Sequence, residues 1–550
     1  MSSTGVKMGG EGGAPNQEPT LSVRKLPVKI SREVRKVREV LKTMRSLRSL
    51  RLKSFADFTR DPERFFQKLL DSDFLICYNS CCWLTSSNAK DLSFRSFFQD
   101  FASFFAFMKR SINRRAFLQA AAVSAPLVLA SRVLGADGHV SPNEKIVLGM
   151  IGQGNQGRLD TSSFLMLPQC HIAAVCDVME KHAARAKQMV DEAYGTADCK
   201  QFQYSEEISH ADGYDAVYIG TPEHWHPWLA IDAMRHGKDV YCEKPETCTV
   251  RDGQLMRQTA IETGRVFSGG SQRVWNDYHK FHKIARAGYL GEIREGWANP
   301  GLPHFTDRAL KAEPIPEGLD WDRWLGPAPW RPFNRAYLTC GRGNGWFDFT
   351  GSTNGWGSHC FGGLMFAMEL DYTGPTEIIP ASLDESGLLT YRFANGCVMH
   401  TCGTWGTVPG FRNGLRDGGG GEICLRGEDG KLCEEDIVNG KYPVPDIPIP
   451  HYKGEVFHRP SDEKLDIDSP MIAAEGEPCI MGDFLHCVRT REIPFRNIER
   501  CHRVCSIGHL GRIAQLLNRP IHFDPETENI LNDPVAQAML DRPRREPWTL

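Results

Sequence analysis

Apolar residues in the middle of this chain come in short runs, separated by segments with helical spacing. Ile146–Ile151, residues 171–177, residues 214–220, Asp239–Cys242 and residues 266–269 read as strands buried on both faces. A glycine turn after the first leads into a helix through Phe164. Further helices are predicted over residues 181–194 and 228–236, the latter stopping at Gly237. Strands alternating with helices predict a doubly wound parallel sheet. Beyond about residue 275 the pattern changes. Residues 387–393, 398–403 and 422–426 follow one another as strands without helices between them, with turns at Asn395-Gly396 and Asp429-Gly430. That predicts antiparallel pairing. Residues 320–357, rich in Trp, Pro and Gly, read as long surface loops. The expected fold class is α/β, with an N-terminal Rossmann dinucleotide-binding domain over residues 144–272. A C-terminal α+β domain with a large, mostly antiparallel sheet follows over residues 273–550.

The upstream part has a different character. From Arg24 to Lys53, twelve basic residues stand against Glu33 and Glu39, with Val34, Val37, Leu41, Met44, Leu47 and Leu50 at three- and four-residue spacing. Seven Phe residues then crowd the segment from Phe94 to Phe107. Next comes Ser111-Ile-Asn-Arg-Arg-Ala-Phe-Leu-Gln119, followed by an Ala-rich stretch through Ala130. A paired Arg before a short, weakly apolar run reads as a twin-arginine export signal. Met108 stands just ahead of the pair. Residues 108–136 are therefore expected to be the signal peptide, and residues 1–107 a misassigned upstream extension, disordered or unrelated. The expected destination is the periplasm or cell envelope. The apolar stretch falls short of the roughly 20 residues of a membrane span, so no stable span is expected after processing.

Composition narrows the partners. A formal net charge of −3 with 24% charged residues gives no global reason to expect nucleic acid or an anionic membrane surface. Eighteen cysteines occur without a single C-x-x-C pair, so neither a disulfide framework nor zinc spacing is present.

Two constellations carry chemistry. Gly152-x-Gly154-x-x-Gly157 follows a strand and opens a helix, with Asn155 and Gln156 inside the turn, and Asp177 ends the next strand. This is dinucleotide-binding spacing: backbone close to the pyrophosphate, a helix N-terminus behind it, and a carboxylate for the ribose hydroxyls. The same carboxylate would repel a 2′-phosphate, so NAD is favoured over NADP. Glu243-Lys244-Pro245 closes another strand of the same sheet, where such sheets bind ligands. Lys244 could polarise a substrate hydroxyl there, although spacing alone also allows a solvated charge. His224 and His226 are two residues apart with no third ligand nearby, and no metal is expected.

Ile151-Gly-Gln-Gly-Asn-Gln-Gly157, Thr221-Pro-Glu-His-Trp-His226, Gly237-Lys-Asp-Val-Tyr-Cys-Glu-Lys-Pro245 and Gly291-Glu-Ile293 occur in this order. Over residues 144–550 the chain thereby resembles the Gfo/Idh/MocA oxidoreductases. It is most similar to their exported branch, through Leu319-Asp-Trp-Asp-Arg-Trp-Leu-Gly-Pro-Ala-Pro329 and the tail Arg542–Trp548. The resemblance implies that Lys244 touches both nicotinamide and substrate. It also implies that Thr221, Pro222, His226 and Glu243 join Gly152, Gly154, Asn155, Gln156, Gly157 and Asp177 around the cofactor. The family's Asp-x-Gly-x-His segment corresponds to Gly355-Trp-Gly-Ser-His359, making His359 the acid/base. Gly355 stands where the Asp would be, and Gly362 where a second Asp often follows. Gln272, Arg273 and Arg342 are read as substrate contacts. The expected function is oxidation of a sugar or polyol with a tightly bound, internally recycled nicotinamide cofactor. A redox-assisted glycosidase and a non-catalytic, NAD-retaining sugar-binding protein stand as alternatives. Homo-oligomerisation through the C-terminal sheet is also expected.

Overall fold

The computed structural model describes three short upstream strands and then residues 141–276, 278–301, 310–339, 346–349, 354–402, 423–449 and 479–550. The chain divides into two compact units, Met1–Ser131 and Arg132–Leu550. In the first, β1 (Phe74–Tyr78) pairs antiparallel with β2 (Cys82–Leu84) and β3 (Leu127–Ala130). β3 falls within the stretch read as the export signal, whose remainder, like the paired Arg114 and Arg115, lies outside the described residues.

The second unit opens with the predicted alternation. β4 (Ile146–Ile151), α1 (Asn155–Leu165), β5 (Cys170–Cys176), α2 (Glu180–Tyr194), β6 (Lys200–Phe202), β7 (Ala216–Ile219), α3 (His226–Arg235), β8 (Asp239–Cys242), α4 (Val250–Thr263) and β9 (Phe267–Gly269) follow in order. Their strands form one parallel sheet, β6-β5-β4-β7-β8-β9. β7 and β8 are buried along their whole length, which is why β7 is apolar throughout and β8 is apolar after Asp239, whose carboxylate pairs with Arg491, rather than alternating. The order reverses at β4, so a crevice opens above the carboxyl ends of β5, β4 and β7.

The rest of the chain builds a second sheet. After α5 (Gln272–Asn276) and α6 (His279–Arg286) come β10 (Ile293–Ala298), α7 (Asn354–Ala367), β11 (Glu377–Ile379), β12 (Leu389–Arg392), β13 (Val398–Thr401), β14 (Ile423–Gly427), β15 (Lys431–Cys433), α8 (Ile480–Thr490), α9 (Ile498–Leu517), β16 (Ile521–Asp524) and β17 (Asn529–Ile530). The order is β15-β14-β10-β13-β12-β11-β16-β17, and every neighbouring pair except β10–β13 runs antiparallel. Phe361, Leu364 and Met365 of α7 and Val504, Ile507 and Leu510 of α9 pack on Leu389, Tyr391, Met399 and Leu425 of the sheet.

The surface-loop expectation for residues 320–357 is overturned. Trp321, Trp324, Phe333, Tyr337, Trp346 and Phe349 bury one another in a separate aromatic cluster. Gly355-Trp-Gly-Ser-His359 is the first turn and a half of α7, not a loop. An aromatic cluster without regular spacing leaves no periodicity to read, and α7 is buried nearly all round, so it lacks a polar stripe.

The two sheets are fastened together from both directions. α8 returns to the first one: Ile480, Met481 and Phe484 lie in the same core as Leu148, Phe164 and Tyr241. α4 starts on a capping box formed by Thr249 and Asp252, and Arg544 near the chain's end donates to Asp252 Oδ1 at 2.6 Å. At the centre, Glu246, two residues beyond Lys244, pairs with Arg496 at 3.3 Å, with both side chains fully buried. Cys505 Sγ donates to the other Glu246 oxygen at 3.3 Å.

Removing one partner of such a pair leaves a buried charge uncompensated, which typically costs about 3–5 kcal/mol. Arg496→Met is expected to lose stability of that order in denaturant unfolding, and adding Glu246→Gln should recover a substantial part. A double variant no more stable than Arg496→Met would show that packing, not charge, makes the site important.

Candidate active site

The glycine loop is shaped by close approach. Gly152 has φ +84°, and a Cβ there would lie 2.6 Å from the backbone nitrogen of Thr221. A Cβ on Gly157 would lie 1.9 Å from Gly152 O. Gly154, the N-cap of α1, has nothing within 4 Å on its Cβ side. The loop therefore leaves open space in front of a helix N-terminus, a fit for a pyrophosphate. Asn155 is exposed at the first helical position. Gln156 instead turns back to Asp160, with Nε2 donating at 3.1 Å. Asp177 is rigidly held: Oδ2 accepts from Gln153 N at 2.7 Å and Oδ1 from Met179 N at 2.8 Å. Each oxygen keeps a lone pair for a ribose hydroxyl. These residues fit a bound dinucleotide.

Thr221 and Pro222 follow the end of β7, with Thr221 N beside Gly152. His226 does not face the cofactor as expected. Its ring is buried, with Nδ1 2.8 Å from Pro245 O and Nε2 2.9 Å from Thr221 O, so it ties two strand-end turns together. His224 is also drawn away from the crevice: Nε2 meets Trp324 O at 2.9 Å, and burial lowers its pKa to about 3.

Lys244 reaches across to the second sheet's layer. Its Nζ donates to Gly355 O, in the first turn of α7, at 3.2 Å. His359 stands one turn further along the same helix, buried. Ser271, just beyond β9, holds it. Ser271 Oγ is 3.3 Å from Ser358 O and 2.7 Å from His359 Nδ1. With the hydroxyl hydrogen on Ser358 O, the Ser271 oxygen accepts from Nδ1–H, and Nε2 carries the free lone pair. Burial first, and then the charges of Lys244 and Arg273, push the His359 pKa well below its ordinary value, so the ring is neutral at physiological pH. Arg273 lies over Trp356, 5.2 Å from the ring centroid, beside His359. Arg342 lies outside the described residues.

Gln272 corrects the sequence reading. It is 3% exposed, and its amide donates to Glu243 Oε1 at 2.8 Å and lies 3.3 Å from Tyr241 Oη, so it belongs to the floor rather than the cleft. Glu243 is likewise buried. Asp160 of α1 joins this floor and accepts from Tyr218 Oη at 2.6 Å. Burial, reinforced by each other's proximity, raises Glu243 well above the usual carboxylate range. Burial also raises Asp160 to about 6.

Two contributors escaped the sequence reading. Ser271 follows two glycines and offers no signal. Glu223 lies inside the Thr221–His226 motif, where its carboxylate was the only clue. It is 7% exposed, and Oε1 lies 3.4 Å from where a Cβ on Gly355 would stand. A carboxylate thus occupies the neighbourhood of the missing Asp, supplied by the other domain. At Gly362 there is a different substitute: a Cβ would meet Val274 at 2.9 Å and Arg496 Nη1 at 3.2 Å. The guanidinium that an Asp there could have paired is paired with Glu246 instead.

Comparison with known proteins agrees with this architecture. Residues 146–271 match the model of an oxidoreductase family with an NAD-binding Rossmann fold. Residues 303–403 and 422–550 match that family's C-terminal alpha/beta domain. A glycosyl hydrolase family 109 protein of Saccharopolyspora erythraea is 34% identical over 169 residues, covering 28% of this chain and 37% of that protein. An alpha-N-acetylgalactosaminidase of Shewanella oneidensis is 30% identical over 213 residues, covering 34% and 46%. The chain thus spans less than half the length of these relatives. Among solved structures, a probable dehydrogenase from Thermotoga maritima is 16% identical, with a TM-score of 0.43 over 68% of this chain and 99% of that one.

The floor carboxyls generate a pH prediction. A carboxyl whose pKa rises on folding stabilises the fold fully below its unfolded value, and loses that contribution as pH climbs through the folded value. For Asp160 the window runs from 3.8 to about 6. Asp160→Asn keeps an acceptor for Tyr218 and removes the titration. Its melting temperature should therefore gain on the parent as pH rises from about 4 to about 6, and the gain should level off above that. A difference that stays constant from about pH 4 to about pH 6 would count against a raised Asp160.

Proposed function

The chain belongs to the Gfo/Idh/MocA oxidoreductase family, and on that premise we propose that it oxidises a secondary hydroxyl of a sugar or polyol with a retained NAD. The observation that carries this reading is the meeting of Lys244, from the parallel sheet, with the first turn of the helix that bears His359. Bound NAD would accept the hydrogen and electron pair from the carbinol carbon. The chain's own residues manage the proton. Lys244 donates to the substrate oxygen and stabilises its developing negative charge. His359 Nε2, neutral and oriented through Nδ1 by Ser271, takes the hydroxyl hydrogen. Glu223 at the Gly355 turn adds a carboxylate beside the substrate space, in place of the one the family pattern puts on the helix. Reduction of a second sugar reverses each transfer and closes the cycle without a soluble cofactor pool.

The relatives at 34% and 30% identity carry glycosyl hydrolase names, which supports a second reading. In it, oxidation of a ring hydroxyl acidifies the adjacent C–H, the aglycone leaves by elimination, water adds, and the hydrogen is returned. Both readings share the first proton transfer. Release of a chromophore from aryl glycosides without net NADH would favour the glycosidase. Sugar binding without turnover on either panel would favour the NAD-retaining binding protein.

On whichever substrate the parent turns over, Lys244→Ala and His359→Ala are each expected to lower kcat by about 10²–10⁴-fold, the usual range for general acid–base catalysis. Nucleotide binding should change little in His359→Ala, because that residue comes from the second domain. Near-parental rates in both variants would move the chemistry elsewhere.

Asp177 supports NAD over NADP. Its carboxylate is fixed by two backbone N–H groups and would face a 2′-phosphate as like charge. A charge-assisted hydrogen bond is worth about 1.5–3 kcal/mol, so NADP is expected to bind roughly ten- to a hundredfold more weakly. Calorimetry should find this gap in the parent and a narrower one in Asp177→Asn. Equal affinities in the parent would refute the assignment.

A further inference from the structure

We infer that His210, Asp232 and His236 form a binding site for a borderline transition-metal dication such as Zn(II), remote from the cleft. The three come from two elements. Asp232 and His236 lie one turn apart at the end of α3, and His210 closes the short helix Glu206–Ser209. His210 precedes β7 and His236 precedes β8, so the cluster sits at the amino edge of the parallel sheet, opposite the carboxyl edge that holds Lys244 and Asp177.

The donors converge on one carboxylate. His210 Nε2 is 3.0 Å from each Asp232 carboxylate oxygen, and His236 Nδ1 is 3.3 Å from Asp232 Oδ1 and 2.9 Å from the Asp232 main-chain O, a contact that it would exchange for the ion. Zn–N and Zn–O bonds of about 2.0–2.2 Å in tetrahedral geometry set ligand–ligand edges of about 3.3 Å, so these spacings need little adjustment. All three ligand atoms lie within 4.8 Å of one another. Ser209 Oγ donates to Asp232 Oδ2 at 2.9 Å and fixes the carboxylate from behind, the outer support that metal-binding carboxylates generally have. The imidazoles stack with centroids 3.7 Å apart. A dication held by the two rings and the carboxylate would leave a fourth position for water. Both His side chains are more than two-fifths exposed, so an ion can enter and the rings can rotate to close the site. The sequence reading expected no metal because His224 and His226 have no third ligand nearby, and it did not weigh His210, which stands 22 residues before Asp232.

The simpler account is a pair of His–Asp hydrogen bonds, and the experiment separates the two. Full-length protein stripped with a chelator is titrated with Zn(II) against a chromophoric competitor. The parent should bind one equivalent more than His210→Ala/His236→Ala, and Asp232→Asn should weaken that equivalent at least tenfold. His486→Ala, which alters a His–carboxylate pair elsewhere, should retain it. Zinc should raise the melting temperature of the parent and of His486→Ala, but not of the double variant. Equal stoichiometry and affinity in the parent and the double variant would overturn the site, as would a zinc-dependent stabilisation that survives in the double variant.

Discussion

The structure depends on one fully buried ion pair, Glu246 with Arg496. Glu246 stands two residues beyond Lys244, where the parallel sheet ends. Arg496 stands just before α9, against which α7 packs. Two charges taken out of water need good geometry to hold together, and breaking such a pair leaves either partner isolated. The pair therefore fixes the end of β8 against the helical layer of the second sheet. Lys244 and His359 are separated by 115 positions in the chain, yet Lys244 reaches the helix that carries His359 because this contact sets the distance between their supports. The hold of Ser271 on His359 and the reach of Lys244 to Gly355 are consequences of the same placement.

The departures from the family pattern at Gly355 and Gly362 take on meaning in three dimensions. Without side chains there, the first turn of α7 lies close to the parallel-sheet domain. Glu223 sits beside one position and Arg496 beside the other. The negative charge that the pattern places on the helix is carried instead by Glu223 and Glu246, both from the first domain. A cleft built this way draws its carboxylate and its cation from one domain and its imidazole from the other, so its chemistry requires the two to be locked together.

What could be read from the chain follows from how locally each feature is determined. The glycine loop and Asp177 were legible because close backbone approach leaves glycine no substitute, and a strand end fixes the carboxylate's position. β7 was legible because burial on both faces forces a continuous apolar run. α7 was not: Asn354-Gly-Trp-Gly-Ser-His-Cys-Phe-Gly-Gly carries four glycines and no polar stripe, and is helical because its surroundings bury it. α9 was missed for the same reason, with Arg500, His502, His509 and Arg512 buried among apolar neighbours. Its partners lie hundreds of residues away, beyond the reach of any local pattern. Gln272 was placed in the cleft because it follows a strand end, but a single residue's rotation decides whether a side chain lines a site or supports it.

The floor beneath Lys244 bears on its proposed role. Glu243 Oε2 accepts from the Lys244 backbone N–H at 3.2 Å, and Asp160 lies close by. If both carboxyls were ionised, two negative charges in a dry setting would draw the ammonium down and neutralise it. Burial, and then the charge of Asp160, raises Glu243 well above the usual carboxylate range, burial raises Asp160 to about 6, and Tyr218 and Gln272 donate hydrogen bonds to the two carboxyls. The ammonium is then free to reach α7, and its field is directed at the space where a substrate oxygen would gain charge. Burial first, and then the same field with that of Arg273, keeps His359 neutral. An unneutralised cation beside an uncharged base is the combination that removal of a hydroxyl proton requires, and a floor whose acids are raised by burial favours it.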